Sequence, residues 1–191
     1  MKEPILYKIT KPIINLFVKI TFRPKYIGLE NIPKSGKIVL AGNHTNILDP
    51  LLIISSTKRV IHFLAKDSLY KGFKGIMFKN MGIIPVNRKI HDKEALNIAI
   101  SYLNKEASIG VFPEGTINKT DDIIMPFKIG AVKMAYETDS YIVPFTIKGK
   151  YKVFNNNLKI EFFKPYKICR DNLTLENEKL MKIISDSLER G

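Results

Sequence analysis

A histidine and an aspartate, His44 and Asp49, stand in the segment Gly42-Asn43-His44-Thr45-Asn46-Ile47-Leu48-Asp49-Pro50. The apolar run before it, residues 38–41, reads as a buried strand. Asp49-Pro50 reads as a helix start, with Asp49 as N-cap and Pro50 at the first helical position. His44 then falls in a short loop at the carboxyl end of a strand, the edge where open α/β sheets hold their ligands. Such a loop can lay the Asp49 carboxylate on one imidazole nitrogen, fixing the tautomer and stabilising the imidazolium. The other nitrogen is free to take a proton from a substrate hydroxyl. That is general-base chemistry in which the substrate supplies the nucleophile.

Spacing alone is cheap. His62-Phe63-Leu64-Ala65-Lys66-Asp67 repeats it, yet His62 alternates with Val60 and Leu64 and reads as a sheet-face residue. His91, between Lys89 and Asp92, reads as an exposed loop residue. Three further segments end strand-like runs in polar groups. Val111-Phe112-Pro113-Glu114-Gly115-Thr116 offers an acid, a hydroxyl and a glycine that lets backbone approach a ligand. Gly82-Ile83-Ile84-Pro85-Val86-Asn87-Arg88 ends in an arginine suited to bidentate phosphate binding. In Pro126-Phe127-Lys128-Ile129-Gly130-Ala131, Lys128 sits at a helix start, where backbone N–H groups favour anions. Nothing has convincing metal-ligand spacing, and no Gly-x-Ser-x-Gly elbow is present to support a serine hydrolase.

The elements that must position these groups alternate. Residues 38–41, 60–65, 83–86, 109–112, 141–147 and 158–168 read as strands, and 49–56, 92–105, 129–138 and 176–190 as helices. The expected fold is α/β: one domain with a central, mostly buried, mixed sheet flanked by helices. An amphipathic basic helix precedes it over residues 1–25, leaving 26–191 as the main domain. In that helix Ile5, Ile9, Ile13, Leu16, Phe17 and Ile20 fall on one side, and Lys8, Lys11, Asn15 and Lys19 on the other. It is either packed on the domain or laid in a lipid interface, and Pro12 is expected to kink or divide it.

Composition sets the partners. A 45% hydrophobic and 26% charged chain of 191 residues can bury a core. Its net charge of +13 calls for an anionic partner. Positive charge gathers at the amino end, where Lys2, Lys8, Lys11, Lys19, Arg23 and Lys25 face only Glu3. A nucleic-acid partner is the alternative that charge alone suggests, but no nucleic-acid module or aromatic–basic interleaving is present, so none is expected. The single cysteine, Cys169, excludes an intrachain disulfide and reads as a packing residue. No apolar run reaches the ~20 residues of a membrane span, and the amino end lacks a secretory signal.

In this order, the four segments resemble the glycerolipid acyltransferase family, typified by the 1-acyl-sn-glycerol-3-phosphate acyltransferases. The family's Asn-His-x-x-x-x-Asp, Gly-x-Ile-x-x-x-Arg, Phe-Pro-Glu-Gly-Thr-Arg and Ile-Val-Pro-Val patterns correspond to residues 43–49, 82–88, 112–117 and 142–145. The resemblance extends from about residue 28 to 149. It implies His44 as base and Asp49 as its orienting partner, with Lys66, Arg88 and Lys128 holding the acceptor phosphate. It also implies that Glu114, Gly115 and Thr116 line the acceptor site. The implied reaction moves an acyl group from acyl carrier protein or coenzyme A thioester to the hydroxyl of a lysophospholipid, 1-acyl-glycerol-3-phosphate or a related acceptor such as glycerol 3-phosphate. No cofactor or metal is implied, and the setting is peripheral, at an anionic membrane surface on the cytoplasmic face. One departure stands out: Ile117 occupies the place of the family's arginine. Either Lys119, Lys66 or Lys128 supplies that charge, or the acceptor differs.

Overall fold

The computed structural model describes residues 4–70, 72–87, 93–168 and 172–190, the side chains of Phe73 and Lys74 apart. Strand β2 (Ile38–Gly42) is buried along its whole length. Its residues alternate between two separate cores, Ile38 and Leu40 facing one and Val39 and Ala41 the other. Apolar on both faces is the signature of a sheet covered on both sides. Around β2 lie β1 (Lys25–Ile27), β3 (Ile61–Lys66), β4 (Ile84–Val86), β5 (Ser108–Val111), β6 (Tyr141–Lys148), β7 (Lys159–Phe162) and β8 (Tyr166–Lys167). Their order is β1-β7-β6-β2-β5-β3-β4, with β8 also paired to β6. The block β6-β2-β5-β3-β4 is parallel, whereas β7 and β8 run antiparallel to β6. The sheet is therefore mixed, as expected.

Helices α1 (Ile5–Thr21) and α2 (Asp49–Ser56) cover one face, contributing Tyr7, Val18, Leu52 and Ile53 to its core. Helices α4 (Lys93–Leu103), α5 (Gly130–Thr138) and α6 (Leu173–Glu189) cover the other with Ala99, Leu103, Val132, Met134, Leu180 and Ile184. Helix α3 (Gly72–Asn80) lies beside α1. The chain thus leaves β2 toward one face and β5 toward the other. Adjacent parallel strands whose connections part in this way open a crevice at their carboxyl edge.

Several expectations are corrected. The single late strand is two, because β7 and β8 are separated by Phe163, Lys164 and Pro165. The break has a partner on β6. Phe163 donates its N–H to the Pro144 carbonyl at 2.9 Å, but Pro144 has no N–H to return. Pro12 does not divide α1, which runs as one helix through it. Both Pro12 and Lys8, whose carbonyl loses its helical donor, lie on the exposed side, where water can serve that carbonyl. Strand β1, helix α3 and the split of β8 were not anticipated. Helix α6 begins earlier than expected, capped by the Asn172 side chain accepting from Leu175 N–H at 3.2 Å.

Helix α1 packs through one edge and exposes the other. Tyr7 and Val18 are buried, and the Tyr7 hydroxyl accepts from Ile61 N–H at 3.1 Å. Opposite them Ile5, Ile9, Ile13, Leu16, Phe17 and Ile20 form an exposed apolar stripe, with Ile5 77% and Ile13 66% accessible. Among the described residues no helix is long and apolar enough to cross a membrane.

Candidate active site

The loop after β2 is folded around a carboxylate. Asp49 is fully buried. Its Oδ2 accepts from Thr45 N–H at 2.6 Å and Asn46 N–H at 2.8 Å, and it lies 2.8 Å from His44 Nδ1. Its Oδ1 accepts from the Thr45 hydroxyl at 3.2 Å and from the Tyr151 hydroxyl at 2.7 Å. Asp49 is therefore not the N-cap. Leu48 takes that position and Asp49 is the first helical residue, because its side chain turns back to bind the loop's own N–H groups and the imidazole. A carboxylate only accepts, so Nδ1 carries the hydrogen and Nε2 keeps its lone pair.

Three residues of the stretch after β5 fix His44 itself. Its N–H donates to Glu114 Oε1 at 2.7 Å, and its carbonyl accepts from Asn118 N–H at 2.8 Å. Its ring stacks on Phe112, centroids 4.0 Å apart and planes 12° from parallel. Beside it, the Asn43 carboxamide accepts from Ile147 N–H at 2.8 Å and donates to the Ile147 carbonyl at 2.9 Å. This amide extends the β2–β6 ladder beyond the last strand residue and anchors the loop to β6. Glu114 is nearly buried, and its second oxygen accepts from Met125 N–H at 2.9 Å. Burial raises its carboxyl above the usual range, partly offset by these N–H donors. Glu114 thus ties the β2, β5 and 118–125 loops together.

A scan against family models matches residues 23–148 to the family described as Acyltransferase. The chain belongs to the acyltransferase family. It is similar to the 1-acyl-sn-glycerol-3-phosphate acyltransferase of Borreliella burgdorferi, 39% identical over 134 residues that cover 69% of this chain and 53% of that protein. A chloroplastic 1-acyl-sn-glycerol-3-phosphate acyltransferase of Arabidopsis thaliana is 31% identical over 159 residues, 79% of this chain and 44% of that one. The chain therefore spans about half the length of these curated relatives. The crystal structure of the 1-acyl-sn-glycerophosphate acyltransferase of Thermotoga maritima shares the fold. Its TM-score is 0.73 at 21% identity, covering 96% of this chain and 80% of that one.

Within this acyltransferase-family chain, the fold gathers His44, Asp49, Glu114, Gly115 and Lys128 at the carboxyl edges of β2 and β5. Gly115 has φ +74°, and a Cβ there would lie 2.9 Å from Lys128 Cε and Nζ, so the lysine packs directly over this glycine. Lys128 N–H also donates to the Pro113 carbonyl at 2.8 Å. It precedes α5 rather than starting it. Lys66 is exposed at the end of β3. The register Phe63↔Gly110 sets it at the same edge one strand away. Thr116 is exposed and Ile117 half-buried beside Asn118. Arg88, His91 and Cys169 lie outside the described residues. His62 is the sheet residue expected: 2% exposed, with Nδ1–H donating to the Gly82 carbonyl at 2.7 Å.

Two participants escaped the sequence reading. Asn43 appeared in it only as a letter of a motif. Tyr151 did not appear at all, because it reaches Asp49 from a lysine-rich loop 102 positions later. A separate basic cleft of about 410 Å³, lined by Lys34, Lys58, Arg59 and Lys105, opens at the opposite, amino edge of the sheet. Arg59 is already engaged there by the Pro33 and Gly36 carbonyls.

Proposed function

We propose that this chain transfers a fatty acyl group from an acyl thioester to the hydroxyl of 1-acyl-glycerol-3-phosphate, with His44 as general base. The observation that carries the proposal is the His44–Asp49 contact of 2.8 Å, made by an aspartate that no solvent reaches. With Nδ1–H held by the carboxylate, Nε2 takes the hydroxyl proton of the acceptor. The oxygen attacks the thioester carbonyl, the C–O bond forms, and the C–S bond breaks as the thiolate leaves with the proton that His44 returns. Asp49 stabilises the intervening imidazolium. Lys128, Lys66 and Arg88 are the groups proposed to hold the acceptor phosphate, with Glu114, Gly115 and Thr116 lining its site. The half-buried Ile117 offers no charge, and Lys128, packed over Gly115, is the substitute proposed. The donor is an acyl carrier protein or coenzyme A thioester, and the chemistry requires no metal or cofactor.

The exposed stripe of α1, flanked by Lys8 and Lys19, supports a peripheral position on an anionic membrane, on its cytoplasmic face. Purified protein supplied with labelled acyl donors and a panel of acceptors tests the assignment. Transfer to lysophosphatidate above glycerol 3-phosphate is expected. His44→Ala should lower turnover about a hundredfold to ten-thousandfold with the fold intact by circular dichroism. Wild-type turnover in that variant would remove the mechanism.

A further inference from the structure

Among the described residues, the loop joining β6 to β7 points two ways at once. Val153 and Phe154 stand at its tip, 62% and 64% exposed. Phe154 has φ +55°, in the left-handed region that bulky residues seldom occupy. Its backbone is held there, because Phe154 N–H donates to the Thr21 carbonyl at 2.7 Å. The Arg23 guanidinium lies 5.5 Å from its ring. Thr21 is the last residue of α1, so the tip continues the apolar stripe beyond Phe17 and Ile20. Exposed Lys150, Lys152 and Arg23 surround it. Between those lysines Tyr151 turns inward. Its ring meets Phe22 edge-on at 5.3 Å, and its hydroxyl donates to Asp49 Oδ1 at 2.7 Å. Burial, then the Asp49 charge, raises the Tyr151 phenol far above its ordinary value, so it stays a donor.

We propose that residues 149–157 form a second contact with an anionic bilayer and couple that contact to the His44–Asp49 pair, an inference that rests on the membrane-surface reading above. Val153 and Phe154 enter the interface beside α1, while Lys150, Lys152 and Arg23 meet anionic headgroups. Because Tyr151 shares this short backbone with the tip, seating the tip restrains the loop that carries the hydroxyl already on Asp49. Tyr151 is thus a positioning residue, and acceptor carried in a bilayer is turned over faster than acceptor dispersed in water.

The experiment compares the full-length wild type, V153S/F154S and Y151F. Partition is read by co-sedimentation with phosphatidylglycerol–phosphatidylcholine vesicles and with phosphatidylcholine alone, without acyl donor. Initial rates are then taken with an acyl thioester on lysophosphatidate in the vesicles and on a short-chain lysophosphatidate below its micelle point. The tip variant should lose about tenfold in partition to the anionic vesicles and a similar factor in the vesicle-to-dispersed rate ratio. Its dispersed rate should be retained. Y151F should bind vesicles as wild type does but lower kcat, more on the vesicle acceptor than on the dispersed one, with KM unchanged. Unaltered partition and ratio in the tip variant would overturn the inference. So would equal losses on both forms of acceptor, which would make the loop a mere prop. Self-association abolished by the tip substitutions, without vesicle binding, would assign the surface to a second copy and overturn it too. Absence of acyl transfer by the wild type in every assay would instead sink the proposed function and the coupling, while tip-dependent partition would still support the bilayer contact.

Discussion

Asp49 accepts from two backbone N–H groups, two hydroxyls and an imidazole, all within 3.2 Å. An asparagine in its place keeps one accepting oxygen for the N–H groups, loses the charge, and obliges the Thr45 and Tyr151 hydroxyls to turn round and accept from its amide. Asp49→Asn is therefore expected to cost roughly 1–3 kcal/mol in stability, the scale of hydrogen bonds to a charged acceptor, read by urea denaturation. It should also lower turnover by two orders of magnitude or more, because the neutral amide no longer stabilises the imidazolium formed during proton transfer. A purified variant with both quantities unchanged would show that the carboxylate neither organises the loop nor orients the ring. The pairing of His44 with Asp49 was legible in the sequence because one loop carries both. The carboxylate's orientation was not, since Asp before Pro ordinarily caps its own helix. The Tyr151 contact was illegible for a simpler reason: nothing local marks a tyrosine whose partner lies across the sheet edge.

Strands and helices with strong apolar runs could be read directly. Residues 38–41 read as a strand, and β2 occupies Ile38–Gly42. Helix α2 begins and ends where its Asp-Pro start and the following turn require. The weak elements failed for physical reasons. Strand β1 is only three residues long, and α3 carries Gly72 and Gly75, which blur any helical pattern. A pH effect belongs to β3. Burial lowers the His62 pKa below its ordinary 6.5, despite the bond to the Gly82 carbonyl. Below that pH the unfolded chain takes up a proton that the folded one refuses, so stability from this site is full above 6.5 and declines on acidification. An asparagine amide can still reach the Gly82 carbonyl but does not titrate. Between about pH 7.5 and 5, the unfolding free energy of His62→Asn should therefore fall less steeply than that of the wild type. Parallel slopes in denaturant titrations would refute this.

On the scale of the whole molecule, the sequence foresaw a buried mixed sheet between helices. It left open whether α1 packs or faces outward. The helix does both, with Tyr7 and Val18 inside and the stripe outside. Removing the amino-terminal segment would therefore injure the core as well as the surface. Replacing only Ile9, Ile13 and Leu16 by serine separates the two. Such exposed sites usually shift stability by no more than about 0.5 kcal/mol each, so the melting temperature should move little while binding to anionic vesicles drops. Retained binding on both anionic and neutral vesicles would exclude the stripe as a lipid contact. The proline in β6 also has a consequence for how the whole sheet is assembled. Alternating apolar side chains penalise a strand that slides by one position, but hardly one that slides by two. Sliding β7 by two so that Pro144 faces Glu161 would carry this donorless residue out of the gap at residues 163–165 and into a continuous ladder, stranding a carbonyl. Pro144 therefore works as an alignment peg against that slide, and so favours the observed place of β1 and the length of chain that brings Tyr151 to Asp49.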